Sequence, residues 1–369
     1  MSSAGHGAMT ATPGAAGGRP DLDRAPITVA WELTRACPLR CDHCRAEAIR
    51  HRDPRELDTA EGAALIDEIA ALGARVLVLT GGDPLARPDL GELIAHGRAA
   101  GLHVAVSPAT TGRLTREAVA RLADAGAQSV HVSVDGASEA VHDGLRGVRG
   151  SHARALRVLG DVVDHGMRLQ VGTSVTRLTA DELPDLAELL RGWPLAMWNL
   201  FFLVPTGRAR PAQLLDADEH EAVLRWLAEA AEELPYPVRT TAAPAYRRVR
   251  SQLGLDPPPA GSANDGKGFC FVSHTGEVHP SGFLPLPVGD VRRHRLADLY
   301  REAPLFRMLR DPARLGGDCG RCDFRAVCGG SRARAYALTG DPLAADPTCA
   351  YTPPAPTAEP ALHGAPAGA

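Results

Sequence analysis

The sequence predicts an α/β protein in which a partial (β/α)6 TIM-like barrel precedes a small carboxyl-terminal α+β domain. Six short runs rich in Val and Leu recur between residues 27 and 204, and segments of helical period lie between and after them. Nearly continuous apolar runs are typical of parallel strands buried on both faces. Their alternation with helices indicates a parallel sheet with helices outside. Because six units are too few for an eight-fold barrel, we expect an open one.

The predicted strands and helices follow one another through the first two thirds of the chain. Strands are expected at residues 27–33, 75–80, 102–107, 128–134, 168–175 and 197–204. The first helix follows the capping box of Asp58 and Glu61, with Leu65, Ile69 and Leu72 on one face. Further helices are expected at residues 89–100, 115–125, 151–165, 181–191 and 216–233.

The composition divides the chain into four segments. Residues 1–24 are small and polar and predict a disordered lead-in, and residues 353–369 predict a disordered tail. The barrel pattern defines a domain at residues 25–235. A second domain is expected at residues 236–352, with a hairpin that turns at Thr275-Gly276 and short helices at 296–301 and 304–310.

Bulk properties exclude several classes of function. An apolar fraction of 44% and a charged fraction of 23% are those of a soluble globular protein. The net charge of −4 argues against a nucleic-acid partner. No run is apolar enough to cross a membrane, and no export signal begins the chain, so we expect a cytoplasmic protein. In that compartment the 8 cysteines are expected to be metal ligands rather than disulfides.

Three cysteines, Cys37, Cys41 and Cys44, lie within eight residues directly after the first predicted strand. An iron–sulfur cube is usually held by four thiolates, so three local thiols leave one iron open to another ligand. An open position distinguishes a working metal site from a closed structural one. Two alternatives remain at this point. His43 could complete a zinc site, or the three thiols could simply be buried.

Polar and glycine residues follow the predicted strands at the edge where barrel enzymes carry their chemistry. Taken singly, each has a plainer explanation as a turn or a surface residue. They are Gly81, Gly82 and Asp83 of a Gly-Gly-Asp-Pro motif, Ser107, Ser133 and Asp135 of Ser-Val-Asp-Gly, Arg146, Thr173 with Ser174, and Leu203.

The CxxxCxxC spacing and these motifs together resemble the radical S-adenosylmethionine (radical SAM) superfamily. The resemblance implies a 4Fe–4S cluster on the three thiols and SAM on its open iron. It places the SAM amino group at Gly81, Gly82 and Asp83, where Glu is commoner in the family. It also implies that Arg146 pairs with the SAM carboxylate. The remaining contacts, with the ribose, adenine and adjoining polar turn, fall to His43, Ser107, Ser133, Asp135, Thr173 and Leu203.

Four further cysteines, Cys319, Cys322, Cys328 and Cys349, resemble the SPASM module that carries auxiliary clusters in many radical SAM enzymes. The complete module has seven cysteines and two extra clusters. Here Ser281 and Arg332 stand at two of the cysteine positions, so the resemblance implies one auxiliary 4Fe–4S cluster on the quartet. A four-cysteine zinc site is the alternative. Cys270 is then expected to be a free core thiol.

The resemblance implies an enzyme that cleaves SAM reductively to a 5′-deoxyadenosyl radical, which abstracts hydrogen from an organic substrate. The cysteine spacing of the carboxyl-terminal quartet is most like the branch that modifies tetrapyrrole side chains in haem synthesis. A peptide maturase is the alternative, and a non-catalytic metal-stabilised scaffold is a second one. Flavodoxin or ferredoxin is the expected electron donor, and neither nucleic acid nor membrane is an expected partner.

Basic residues suggest where a substrate would lie. Arg208, Arg210, Arg247 and Arg248 are candidates to meet propionate carboxylates, or else simply surface residues. Lys267, the only lysine of the chain, is placed near substrate or cluster as a hypothesis.

Overall fold

The computed structural model describes residues 21–256 and 263–354. Residues 21–24 form a turn, in which the Arg24 N–H donates to the Asp21 carbonyl. The rest of the predicted disordered lead-in, residues 1–20, and residues 355–369 of the predicted tail lie outside the described residues.

A single ten-stranded sheet forms the centre of the molecule. Its strands are β1 (Thr28–Glu32), β2 (Val76–Thr80), β3 (His103–Val106), β4 (Ser129–Ser133), β5 (Arg168–Val175), β6 (Leu195–Phe202), β7 (Val238–Thr241), β8 (Phe269–Val272), β9 (Glu277–His279) and β10 (Gly289–Asp290).

Twelve α-helices accompany the sheet in the part of the chain that the structure describes. They are α1 (Thr59–Leu72), α2 (Leu90–Ala99), α3 (Arg116–Asp124), α4 (Glu139–Arg146), α5 (Ser151–Asp164), α6 (Leu183–Leu190), α7 (Ala217–Glu233), α8 (Ala245–Gln252), α9 (Leu296–Glu302), α10 (Pro304–Arg310), α11 (Gly317–Arg321) and α12 (Arg332–Thr339).

The sheet confirms the predicted open barrel. Strands β1 to β7 lie side by side in chain order and all pair in parallel. Strand β8 pairs in parallel with the other edge of β1, and β9 and β10 continue antiparallel from it. The order runs from β10 to β7 without closing, so both ends of the sheet remain edges. The carboxyl-terminal hairpin therefore extends the barrel sheet rather than forming a separate one.

The predicted elements agree with the observed ones to within two residues at each end. The capping box at α1 is also confirmed: Asp58 accepts the Glu61 N–H at 2.8 Å, and Glu61 accepts the Asp58 N–H at 2.9 Å. Strands β7 and β10 and helices α4, α8, α11 and α12 were not predicted. The β7 sequence Val-Arg-Thr-Thr has no apolar run, because only its Val238 is fully buried.

The main hydrophobic core lies between one face of the sheet and the helices, and the other face of the sheet lines the interior of the barrel. Members of the core include the fully buried Val29, Trp31, Leu77 and Trp198. Cys270 belongs to this core and forms no disulfide among the described residues, which confirms it as a core thiol. Burial raises its pKa to about 12. In the described residues no helix is long and apolar enough to cross a membrane.

Candidate active site

The three-cysteine loop leaves the carboxyl end of β1 and closes on itself. The Cys37 N–H donates to the Ile49 carbonyl at 2.8 Å, and the Ile49 N–H donates to the Arg35 carbonyl at 3.0 Å. The Cys44 N–H donates to the Cys41 carbonyl at 3.3 Å, so a tight turn holds these two residues together. Backbone hydrogen bonds thus fix the three thiols on a rigid loop.

The Gly-Gly-Asp motif after β2 packs directly against this loop. The Gly82 N–H donates to Thr34 at 2.7 Å, and the Asp83 N–H donates to Ala36 at 2.8 Å. A Cβ on Gly82 would lie 2.6 Å from the Arg35 carbonyl oxygen, closer than any real side chain approaches. The second glycine is therefore required for the close approach of two backbones.

A cavity of about 230 Å³ opens above the cysteine loop. Six of the ten SAM-contact residues predicted from sequence line it together with the three thiols. They are His43, Gly81, Gly82, Ser133, Arg146 and Leu203, joined by Ser174. The other four, Asp83, Ser107, Asp135 and Thr173, do not line this cavity.

Arg146 and Asp135 form an ion pair at the cavity wall. The Arg146 guanidinium lies 2.5 Å from one Asp135 carboxylate oxygen, and the other oxygen accepts the Ser174 N–H at 2.7 Å. Burial alone would raise the pKa of Asp135, but Arg146 lowers it to about 2. The carboxylate is thus ionised and occupied by protein donors. Its role here is to hold Arg146 at the cavity wall.

Asp83 and Thr173 point into the protein interior. The Asp83 carboxylate accepts the Thr111 hydroxyl at 2.9 Å, and burial raises its pKa. The Thr173 hydroxyl donates to the Val134 carbonyl at 2.6 Å and accepts the Trp198 indole N–H at 2.9 Å. Because side chains alternate along a strand, Ser174 faces the cavity instead of Thr173.

Gly207 and Arg208, in the segment after β6, hold the cysteine loop, a role that the sequence did not predict for either residue. The Arg208 N–H donates to the Cys44 carbonyl at 3.1 Å, and its guanidinium Nε donates to the Cys41 carbonyl at 3.0 Å. Gly207 has φ +63°, and a Cβ there would lie 2.5 Å from the Cys44 carbonyl. No local pattern signals these contacts, because about 160 residues separate the partners. The suggestion that Arg208 is a surface residue is wrong.

Several buried polar atoms at the cavity have no partner in the described residues. They are His43 Nδ1, His131 Nε2 and Arg208 Nη2. An unpaired buried donor or acceptor costs free energy, so such atoms indicate a polar ligand that is bound here in the working enzyme. Burial lowers the pKa of His43 and of His131 to about 4, so both rings are neutral near pH 7.

The donor set fits an iron–sulfur cluster that keeps one iron open. Three thiols and no fourth cysteine line the cavity. Burial raises the pKa of Cys37 to about 12 and also raises that of Cys41, so loading the site with metal must displace thiol protons. Within the described residues no three His, Cys, Asp or Glu side chains converge on a single ion. Three thiols on the cavity wall would leave one iron of such a cluster without a cysteine ligand.

A second cavity of about 290 Å³ adjoins the first inside the barrel. Arg45, Thr80, His131, Phe201 and Phe283 line both cavities. The His131 ring stands at this junction because a Cβ on Gly172 would lie 2.2 Å from it, and glycine leaves that space free. Ser107 belongs to the second cavity, where its hydroxyl contacts His131 Nδ1 at 3.3 Å.

The four carboxyl-terminal cysteines line a third cavity. Three of the sulfurs accept backbone N–H groups at 3.4 Å: Cys319 from Asp346, Cys322 from Phe324 and Cys328 from Gly330. Burial raises the pKa of Cys328 to about 12 and also raises those of Cys322 and Cys349. The structure therefore brings the predicted quartet together.

Arg332 and Ser281, which stand where two cysteines of the complete SPASM module would be, make other contacts. The buried Arg332 guanidinium lies 3.6 Å from the Cys319 sulfur and donates to the Ala344 carbonyl at 2.7 Å. Ser281 lies on the second cavity, and its hydroxyl accepts the Phe283 N–H at 3.2 Å. Lys267 lines none of the three cavities.

The fold and the three-thiol loop define a class of protein: an open-barrel enzyme with an iron–sulfur site at the carboxyl ends of its strands. The model of the Radical SAM superfamily matches residues 31–190. The AdoMet-dependent heme synthase of Nitratidesulfovibrio vulgaris is 38% identical over 362 residues, which cover 94% of this chain and 98% of that protein. The chain belongs to the radical SAM superfamily.

Two further proteins show how widely this architecture is shared. The mycofactocin maturase MftC of Mycobacterium ulcerans is 33% identical over 339 residues, 88% of each chain. The crystal structure of Streptococcus suis SuiB bound to S-adenosylmethionine has a TM-score of 0.70 at 14% identity, covering 89% of this chain and 78% of that one. The second likeness shows the fold alone.

The chain is accordingly an enzyme that uses a 4Fe–4S cluster and S-adenosylmethionine for radical chemistry. The alternative of a non-catalytic scaffold is wrong. Cys37, Cys41 and Cys44 lie within the matched residues 31–190 and line the first cavity.

Proposed function

We propose that this radical SAM enzyme abstracts hydrogen from a propionate-bearing side chain of a tetrapyrrole. The observation that carries the proposal is the similarity to AdoMet-dependent heme synthases along nearly the whole chain, 38% identity over 94% of it. A second such protein, from Methanosarcina barkeri, is 38% identical over 90% of this chain. The similarity includes the carboxyl-terminal third, where substrate-specific parts would lie.

The two adjoining cavities support this assignment. SAM bound to a reduced cluster supplies a 5′-deoxyadenosyl radical. We assign the SAM contacts to His43, Gly81, Gly82, Ser133 and Arg146, with Leu203 beside the adenine. Asp83 and Asp135 would support them from behind. Ser107 and Thr173 stay predictions as SAM contacts.

The substrate carbon would lie at the junction of the cavities. His131 Nε2 is buried there without a partner in the described residues and Phe201 packs edge-on against the ring, 5.6 Å between centroids. Phe201 and Phe283 give the junction aromatic surface beside its polar groups, and this combination is typical of a site for a large organic ligand. It also excludes water from a reactive radical.

We also propose one auxiliary 4Fe–4S cluster on Cys319, Cys322, Cys328 and Cys349. The shared third cavity and the N–H groups aimed at the sulfurs support it, because hydrogen bonds to sulfur tune cluster potentials. It would occupy a SPASM/twitch-like domain at residues 236–352, after the radical SAM core at 25–235. We propose flavodoxin or ferredoxin as electron donor and a reducing, cytoplasmic location.

Product formation by the reconstituted holoenzyme tests the proposal. The protein is loaded with iron and sulfide without oxygen, reduced with dithionite, and mixed with SAM and iron coproporphyrin III. We expect 5′-deoxyadenosine and a porphyrin product of altered mass. The Cys37→Ala/Cys41→Ala/Cys44→Ala variant should form neither. Formation of 5′-deoxyadenosine with an unchanged porphyrin would contradict the tetrapyrrole assignment and favour the peptide maturase, for which the similarity to MftC speaks.

Metal analysis tests the auxiliary cluster separately. We expect about eight irons per chain, and about four in a Cys319→Ala/Cys322→Ala variant, because each cube holds four. One zinc per chain beside about four irons would contradict the auxiliary cluster without touching the active-site cluster.

A further inference from the structure

Arg239 is a charged side chain on β7 that has no counter-charge. It is opposite Asn199 of β6 in the sheet register, and its side chain lines the second cavity. Among residues 21–256 and 263–354 it takes part in no ion pair, and burial alone lowers its pKa. The side chain is half-buried in the cavity wall, and a guanidinium drawn away from bulk water is stabilised by a nearby negative charge, so its position suits an anion.

The other charged groups of the cavity do not supply that anion. Arg45 is paired with Glu32 at 3.0 Å. The Arg247 guanidinium donates to the Ala263 and Val327 carbonyls at 2.6 and 3.1 Å. Within the described residues the one carboxylate on the cavity is Asp265. One of its oxygens accepts the Ala333 N–H at 3.0 Å, and within the described residues it forms no ion pair with Arg239 or Arg247.

The cavity therefore carries two cations, Arg239 and Arg247, that no carboxylate neutralises. Around them lie the amides of Gln170 and Asn199, and towards the SAM cavity the wall is aromatic. A guanidinium is a planar fork that matches a carboxylate with two parallel hydrogen bonds. The polar end and the aromatic junction suit a ligand with an anionic tip and an apolar body.

We propose that Arg239 binds a carboxylate of the substrate in the second cavity, with Arg247 beside it, and so positions the substrate for hydrogen abstraction at the junction. The inference rests on the proposed function and adds to it the group that recognises the substrate. Arg239 is a binding residue. It takes no part in cleaving SAM.

Binding of a porphyrin acid and its ester by the holoenzyme tests this role. Iron coproporphyrin III carries four propionates, and its tetramethyl ester has the same ring with no charge on these arms. Binding of each is titrated by the porphyrin absorption band. The proteins are wild type, Arg239→Gln, Arg239→Lys and, as a matched control, Arg157→Gln, which removes an exposed arginine of α5. Iron content and circular dichroism establish that each variant is folded and loaded.

Arg239→Gln should raise the Kd of the acid roughly 10- to 100-fold, because hydrogen bonds between charged groups are worth that much. It should leave the Kd of the ester within about 3-fold of wild type. Arg239→Lys should fall between, since it keeps the charge but loses the fork. In turnover the loss should appear mainly in KM. Arg157→Gln should match wild type throughout.

Two results would overturn the inference, and they are distinguishable. If wild type converts the porphyrin acid and Arg239→Gln binds it as tightly, the role of Arg239 is wrong while the proposed function stands. If wild type neither binds nor converts the acid, the tetrapyrrole assignment fails and the inference fails with it.

Discussion

The two cysteine sites differ in what surrounds their sulfurs. At the active site Cys37 and Cys41 are buried, and the nearby His43 and Arg208 each have a buried nitrogen with no partner in the described residues. At the carboxyl-terminal quartet all four cysteines are partly exposed, and nearby N–H groups already point at three of the sulfurs. At the active site these nitrogens can bind a ligand, whereas at the carboxyl-terminal quartet the N–H groups bond to the sulfurs.

A second difference is the number of thiols. Three thiols leave an iron open to SAM, and four would close the cube. A closed cluster with hydrogen-bonded sulfurs is suited to storing or passing an electron. Arg334 connects the two regions, because it bonds to Asp346 beside the quartet and to the Leu203 carbonyl at the SAM cavity, at 3.1 and 3.4 Å.

The largest expected effect comes from filling the contact between the Gly-Gly-Asp motif and the cysteine loop. In Gly82→Ala the new methyl would lie 2.6 Å from the Arg35 carbonyl, so the loop must move. Displacing reacting groups by about 1 Å can cost about 100-fold in rate, and we expect at least that loss in SAM cleavage. The quartet should keep its iron.

The control is Gly144→Ala in α4, where nothing lies within 4 Å of the added methyl. It should cleave SAM like wild type and gain up to about 1 kcal/mol of stability from helix propensity. Normal SAM cleavage in Gly82→Ala would show that the loop tolerates displacement, and the assigned close approach would be wrong.

The corresponding substitution at the carboxyl-terminal quartet is Gly330→Ala. Gly330 has φ +64°, and a Cβ there would lie 2.9 Å from the Cys319 sulfur and 2.5 Å from the Arg332 guanidinium. We expect the auxiliary iron to fall by more than half while SAM cleavage without substrate changes less than about 3-fold. Loss of iron from both sites in equal measure would contradict their independence.

The sequence alone predicts those features of the two cysteine sites that depend on residues close together in the chain. Both cysteine groups are short motifs, and the first follows a strand with a continuous apolar run, so their position and order were predictable. The donors that distinguish the sites were not. Arg208 reaches the Cys41 carbonyl across 167 residues, and no spacing rule describes such a contact.

The alternation of side chains along β5 explains why Ser174, and not the predicted Thr173, faces the cavity. Thr173 and Ser174 are both small hydroxyl residues of β5, and sequence gives no reason to prefer either as the inward one. Burial decides it: Thr173 is fully buried and bonded to Trp198, whereas Ser174 is partly exposed on the cavity. Arg239 was missed for a related reason, because β7 has no apolar run that would mark it as a strand.

Acid should weaken the ion pairs that Glu32 forms with Arg35 and Arg45 of the active-site loop. Burial alone would raise the pKa of Glu32, but Arg45 and then His274 and Arg35 lower it from 4.5 to about 2. A carboxyl with a lowered folded-state pKa gives stability that is fully present above pH 4.5 and is lost as the pH falls towards 2. The loss should reach about 3 kcal/mol across this window.

Urea unfolding of the metal-free chain between about pH 6 and pH 2 measures this loss without the acid lability of clusters. Glu32→Gln should be less stable at neutral pH and should flatten the acid limb by about 3 kcal/mol. Glu188→Gln, which breaks an exposed pair with Arg191, should keep the wild-type slope. An unchanged slope in Glu32→Gln would mean that other carboxyls govern the acid response.

The smallest expected effects distinguish the residue of β5 that stabilises the fold, Thr173, from the one that faces SAM, Ser174. Thr173→Val keeps the shape but leaves the Trp198 N–H and the Val134 carbonyl buried without a partner, which should cost about 1–3 kcal/mol of stability. The KM for SAM should stay within about 2-fold of wild type. Ser174→Ala removes a hydroxyl that faces the cavity and should raise that KM about 3- to 10-fold with little change in stability. The reversed pattern would put Thr173 in contact with SAM. It would then be the inward residue, as the family resemblance implies, and the orientation of β5 at this point would have to change when SAM binds.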